Sequence, residues 1–201
     1  MQGTDFTAVC EGLLSRIFHR PNQGDGRGVV VALTSAHPQA GVSHITNALA
    51  AALDQGGDQY TMLLNGRYMS ARDHGTQNDS HLSTSRTSDA LWQTYRPDGS
   101  RDNWHTIQTR LANYLEQLRR QYRYILIDCP SLREADHAVV LAPLVDGIVL
   151  VVEANRTQKE QFLYAERAIE YAGGRILGHV LNKRTYVIPG WLHRKMEAFG
   201  V

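Results

Sequence analysis

The sequence predicts an α/β fold, a doubly wound and mostly parallel sheet with helices on both faces. Three observations predict it. Five short runs, at 29–35, 60–64, 124–130, 148–152 and 176–182, are rich in Val, Ile and Leu and are bounded by turn residues. Within these runs the apolar residues follow one another without alternating with polar ones, as expected of strands covered on both sides. Between them lie segments whose apolar residues recur at helical spacing, and strand–helix alternation of this kind builds a parallel sheet.

The elements follow in order. Phe6, Val9, Cys10, Leu13, Leu14, Ile17 and Phe18 predict an amphipathic helix over 5–18, lying on the surface of the domain. Pro21 to Gly28 is a turn-rich link into the first strand, 29–35. A loop follows, and then a helix-prone run from His44 to Leu53, stopped by Gln55-Gly56-Gly57-Asp58. The second strand is 60–64. Residues 66–104 are dominated by Ser, Thr, Asp, Asn, Arg and Gly, and read as a long, partly flexible insertion pinned by Leu82, Leu91, Trp92, Tyr95 and Trp104. Ile107, Leu111, Tyr114, Leu115, Leu118 and Tyr122 predict a helix over about 105–121. The strand at 124–130 contains Asp128 near its end; 134–143 reads as a short helix, Asp146-Gly147 as a turn, and 148–152 as a strand. Phe162, Ala165, Ile169 and Ala172 mark a helix stopped by Gly173-Gly174, before the last strand, 176–182. A short helix over 190–199 closes the chain. Its Trp191, Leu192, Met196 and Phe199 suit packing on the domain or a partner better than contact with a membrane. The whole of 1–201 reads as one domain.

Bulk properties narrow the function. The 201 residues, 42% hydrophobic and 20% charged, suit an ordinary globular protein with a sizeable core. A net charge of +1 gives no electrostatic ground for a nucleic-acid partner. The two cysteines, Cys10 and Cys129, have neither metal-ligand nor redox spacing and imply a reducing compartment, the cytoplasm. Nine histidines are scattered without metal spacing. No apolar run approaches the roughly 18 residues of a membrane span, and the N-terminus lacks the layout of a signal peptide.

The chemistry concentrates in the first loop. Val-Val-Val-Ala-Leu-Thr-Ser leads into Ala36-His37-Pro38-Gln39-Ala40-Gly41-Val42-Ser43 and then a helix. Strand, tight loop ending Gly-X-Ser and helix form the layout of a P-loop, the phosphate cradle of nucleotide-binding proteins. A working loop has lysine between the glycine and the serine, reaching the terminal phosphates. Here that residue is Val42, whose side chain cannot neutralise phosphate charge. Ligands of doubly wound sheets bind at the carboxyl ends of the strands. Ala36 to Ser43, Asn65 to Arg67, Asp128 to Ser131 and Asn182 all fall there.

Four stretches carry a family resemblance: Thr34-Ser35-Ala36-His37-Pro38, Tyr122-Arg123-Tyr124-Ile125-Leu126-Ile127-Asp128-Cys129-Pro130, Leu141-Ala142-Pro143-Leu144-Val145-Asp146-Gly147, and Gly178-His179-Val180-Leu181-Asn182-Lys183. Over about 5–185, weakest in 66–104, the chain resembles the bacterial tyrosine autokinases of capsule and exopolysaccharide synthesis. These belong to the P-loop class that includes the Min- and Par-type ATPases. The resemblance implies a P-loop NTPase-type sheet. It also implies a nucleotide site built from His37, Gly41, Val42, Ser43, His44 and Asn182, with Ser43 and Asp128 as a vestigial magnesium site.

Four departures bear on activity. The family loop reads Pro-Gly-Glu-Gly-Lys-Ser-Thr, where this chain has Pro38-Gln39-Ala40-Gly41-Val42-Ser43-His44. The family's second strand ends in acids that serve the metal and the attacking hydroxyl; Asn65 and Arg67 stand there. Its first helix carries Glu-X-X-Arg-X-X-Arg for ring assembly; here Glu11 is followed by Leu14 and Ile17 at the arginine positions. Its C-terminal tyrosine cluster is reduced to Tyr186.

The expectation is a catalytically degenerate protein with a scaffolding or regulatory role in exopolysaccharide or capsule assembly. Its partner would be a membrane-embedded chain-length or export component, or an active kinase. It would sit in the cytoplasm or peripherally at the inner face of the plasma membrane, and the resemblance is compatible with a homo-oligomer. No tightly held cofactor is expected, and any binding of Mg-ATP or Mg-ADP should be weak. Two alternatives stay open. One is an ATP-dependent tyrosine kinase or ATPase in which His37, His44 or Arg67 replaces the missing cation. The other is a membrane-associated positioning protein of Min or Par type. Structural roles stand beside the functional ones: Ser43 as a helix N-cap, Asp128 as a turn cap with Pro130, and Asn182 satisfying backbone groups.

Overall fold

The computed structural model describes residues 12, 27–54, 61–65, 83–87, 90–94 and 104–184. The strands are β1 (Val29–Ser35), β2 (Thr61–Asn65), β3 (Ser83–Thr87), β4 (Ala90–Thr94), β5 (Tyr124–Asp128), β6 (Gly147–Glu153) and β7 (Ile176–Asn182). The helices are α1 (Val42–Asp54), α2 (Trp104–Gln121), α3 (His137–Leu141) and α4 (Lys159–Tyr171). The predicted 5–18 and 190–199 helices lie outside the described residues, except that Gly12 is helical.

The strands form one sheet in the order β3-β4-β2-β5-β1-β6-β7. All pairings are parallel except β3 with β4, which is antiparallel. The sheet is thus doubly wound and mostly parallel as predicted, but with seven strands rather than five. The two additional strands come from the polar stretch read as an insertion. β4 adds in parallel to β2, and β3 turns back on it to form the outer edge. The short helix is also narrower than the expected 134–143, spanning His137–Leu141.

Two-sided burial explains the unbroken apolar strands. Val30, Ala32, Met62, Leu64, Ile125, Ile127, Ile148 and Leu150 point to one face and pack with Leu111, Leu115 and Leu118 of α2, Ala138 and Leu141 of α3, and Ala165 and Ile169 of α4. The alternate residues Val31, Leu33, Leu63, Leu126, Val149, Val151 and Val180 point to the other face and meet Ile45, Leu49, Ala50 and Leu53 of α1. A chain with that requirement has no place for polar alternation in its central strands.

The amino edge of the sheet is tied by a polar knot. Arg119, in the last turn of α2, reaches Asp146 Oδ2 at 2.5 Å and donates to Gly28 O at 2.8 Å. The same Asp146 oxygen accepts the Val30 N–H at 2.8 Å. The predicted turn at Asp146-Gly147 therefore carries an anchoring carboxylate, and β6 starts at Gly147. With this knot at one end, the loop-bearing end of β1 is held by its neighbours β5 and β6.

Candidate functional site: a closed phosphate loop

The carboxyl edge gathers most of the residues singled out from sequence. Parallel register sets Leu33 of β1 beside Asp128 of β5, and Asp128 beside Asn65 of β2. Asn65 therefore stands in line with Asp128 at the sheet edge, where the resemblance leads one to expect a second acid. Arg67 lies outside the described residues.

Between β1 and α1 the chain makes the tight turn that a phosphate loop requires. Gln39 (φ 66°) and Gly41 (φ 94°) both occupy the left-handed region. For a glycine this costs nothing, and at Gly41 a Cβ would lie 2.2 Å from Asn182 Nδ2 and would displace that amide. Gln39 holds the same conformation against its own Cβ, at a cost of about 1–2 kcal/mol. The loop has kept the backbone of a cradle at a position where it has lost the glycine.

Side chains close the loop from outside. Ser35 Oγ donates to His37 O at 2.8 Å. His37 Nδ1 bonds Pro38 O at 2.8 Å, and His37 Nε2 lies 3.0 Å from Thr157 Oγ1. Lys183 Nζ donates to Gln39 O at 2.5 Å and pairs with Glu153 Oε1 at 3.2 Å. Asn182 Nδ2 donates to Ala40 O at 2.8 Å. His37 is buried, with both ring nitrogens engaged in these contacts. Its geometry fits a strut holding the loop to the β6–α4 connection, rather than a spare cation over phosphate. Asn182 spends its amide on the loop backbone, the structural role foreseen for it.

Val42 does not face the cradle as an empty lysine position would. It is 8% exposed and belongs to the apolar cluster with Ala40, Ile45, Leu49 and Val180. Ser43 is exposed, and its predicted capping role is corrected by the helix start. Since α1 begins at Val42 and Ile45 N–H bonds Gly41 O, Ser43 falls inside the first turn and cannot cap it. His44 is exposed beside it. Asp128 is half-buried, and next to it burial, with the Asp128 charge adding, pushes the Cys129 thiol well above its ordinary range. Cys129 is therefore an inert core residue. Among the described residues no group of three or more His, Cys, Asp or Glu is placed to hold a metal.

Sequence reasoning missed Glu153 and Thr157 and gave Lys183 no role. The available signal was an acid at the end of an apolar strand: Glu153 closes Gly-Ile-Val-Leu-Val-Val-Glu, yet only 11% of its side chain is exposed.

No family model matches the chain. Over 75 residues, 37% of the chain, it is 35% identical to a putative tyrosine-protein kinase, CapB, of Staphylococcus aureus. The matched stretch spans only 33% of CapB. A stretch of 69 residues, 34% of the chain, is likewise 33% identical to 30% of the tyrosine-protein kinase CpsD of Streptococcus agalactiae. A third match, 36% identical over 76 residues or 36% of the chain, is to 9% of the succinoglycan biosynthesis transport protein ExoP of Rhizobium meliloti. In fold, 90% of the chain superposes on 78% of the kinase domain of the Escherichia coli tyrosine kinase ETK, with a TM-score of 0.69 at 17% identity. That likeness shows the P-loop kinase fold. No helix among the described residues is long and apolar enough to cross a membrane.

Proposed function

We propose that this chain is a kinase-fold protein of capsule or exopolysaccharide assembly that no longer transfers phosphate. It acts as a scaffold or regulator at the inner face of the plasma membrane, bound to a membrane-embedded chain-length or export component or to an active tyrosine kinase. The observation that carries this reading is the burial of Val42. Phosphoryl transfer depends on positioning and on cancelling charge with lysine and magnesium. At the lysine position the chain has an aliphatic side chain packed into the core, 8% exposed. Loss of one electrostatic stabiliser costs a site about 3–4 kcal/mol, and Asn65 in place of a carboxylate adds a second loss. The name of ExoP, a succinoglycan biosynthesis transport protein, supports the polysaccharide role, and that of CapB, a putative tyrosine-protein kinase, supports the kinase fold. Affinity capture of the tagged chain from cross-linked cell membranes tests the role. The expected result is recovery of a polysaccharide chain-length or export protein or a tyrosine kinase; recovery of neither contradicts it.

A second reading, an ATP-dependent tyrosine kinase or ATPase with a rearranged site, is favoured by one observation. The Lys183 ammonium lies on the loop, 2.5 Å from Gln39 O. Release of phosphate from Mg-ATP by the purified chain, abolished in Lys183→Met, would select it.

A further inference from the structure

The geometry points to an internal latch: Lys183, Glu153 and Thr157 hold the phosphate loop in one shape without any ligand, so the order of the loop does not depend on nucleotide. Four consecutive loop carbonyls, those of His37, Pro38, Gln39 and Ala40, each take a side-chain hydrogen bond, from Ser35, His37, Lys183 and Asn182 respectively. Two of these donors sit at the end of β7, so that strand grips the middle of the loop. Behind them is a second layer. The Thr157 hydroxyl oxygen accepts the Glu153 N–H at 3.0 Å and lies 3.0 Å from His37 Nε2. A hydroxyl placed in this way accepts from the backbone and donates to the imidazole, whose other nitrogen then donates to Pro38 O. Glu153 completes the layer by pairing with Lys183 at 3.2 Å. The Glu153 side chain is 11% exposed and that of Lys183 45%, so the pair is shielded from water on the carboxylate side alone.

Backbone strain falls at the two ends of the main contact. Gln39 (φ 66°) and Lys183 (φ 56°) are both non-glycine residues in the left-handed region. Such residues persist where the surroundings over-determine them. The Lys183–Gln39 hydrogen bond joins the two directly. Together the contacts couple the loop to the β6–α4 connection and to the end of β7, the elements on the far side of β1 from Asp128. The latch is independent of the scaffold reading, because a loop held in this way can still meet an anion.

Backbone ¹⁵N relaxation on the ligand-free full chain tests it. Amides of Gln39, Ala40 and Gly41 should have order parameters of about 0.85, like those of a rigid strand, and Lys183→Ala should drop them below about 0.6 while β1 amides stay unchanged. Thr157→Val, which keeps shape and removes the hydroxyl, should loosen the same amides. Lys183→Arg, which keeps a donor and the charge, should restore them. Loop amides already below about 0.6 in the natural chain, or order parameters unmoved by both Lys183→Ala and Thr157→Val, would overturn the latch. Adding Mg-ADP should leave loop order unchanged. Resonance shifts without a change in order would support the latch, and only shifts that saturate at micromolar Mg-ADP would also count against the scaffold reading, whereas a rise in order on adding Mg-ADP would overturn the latch.

Discussion

Gln39 and Val42 occupy neighbouring positions of the loop and have opposite relations to it. Gln39 is strained by a backbone shape that suits glycine, φ 66°. Gln39→Gly should therefore stabilise the chain by about 0.5–1 kcal/mol, the relief of the left-handed strain less the greater flexibility of glycine in the unfolded chain. The urea midpoint measures it. Val42 fits its surroundings, and restoring a lysine there costs stability. The substitution removes apolar packing from the cluster around Ile45 and Leu49 and brings a cation to the positive end of α1. Val42→Lys should lower stability by about 1–3 kcal/mol, read from the same denaturation curves. Cys129 supplies a pH dependence. Its thiol is raised in the folded chain by burial, from an ordinary value of 9.0. Above that value the unfolded chain loses a proton that the folded chain keeps, so stability falls as pH rises, with a slope of up to about 1.4 kcal/mol per pH unit. In a Cys10→Ser background, Cys129→Ala should flatten that part of the stability profile.

The elements differ in how plainly the sequence announces them. Strands β1, β2, β5, β6 and β7 were legible because burial on both faces demands unbroken Val, Ile and Leu. Strands β3 and β4 were not. Ser-Thr-Ser-Arg-Thr contains no aliphatic residue, and an edge strand can form from main-chain pairing and β-branched threonine alone. The start of α1 was misjudged by two residues because Ser43 matched the chemistry of a cap, while the actual boundary is set by the left-handed turn at Gly41. The Arg119–Asp146 knot could not be read from the signature stretch that contains Asp146, since it joins α2, β1 and β6 across long stretches of chain. Its worth is testable. Asp146→Ala leaves Arg119, 13% exposed, and the Val30 N–H without their shared acceptor, and should cost about 2–3 kcal/mol in thermal or chemical unfolding. Asp146→Asn, which keeps an acceptor oxygen, should cost clearly less.

Across the molecule, parallel register brings Asn65, Asp128, the loop and Asn182 to one edge, as their strand-end positions in the sequence implied. What the sequence could not convey was orientation. Whether Val42 faces ligand or core, and whether His37 is a cation or a strut, depends on residues more than a hundred positions away, Val180 and Thr157. The same separation hid Lys183, which meets the loop, and Glu153, which pairs with Lys183 once β6 and β7 lie side by side. On the proposed reading the chain is a P-loop fold that lacks the phosphate-binding lysine, with Val42 buried in its place, and therefore lacks tight nucleotide affinity. Isothermal titration of Mg-ATP and Mg-ADP into the purified natural chain addresses that reading most directly. No saturable heat at millimolar nucleotide is the predicted result; saturable binding with a micromolar Kd would contradict it.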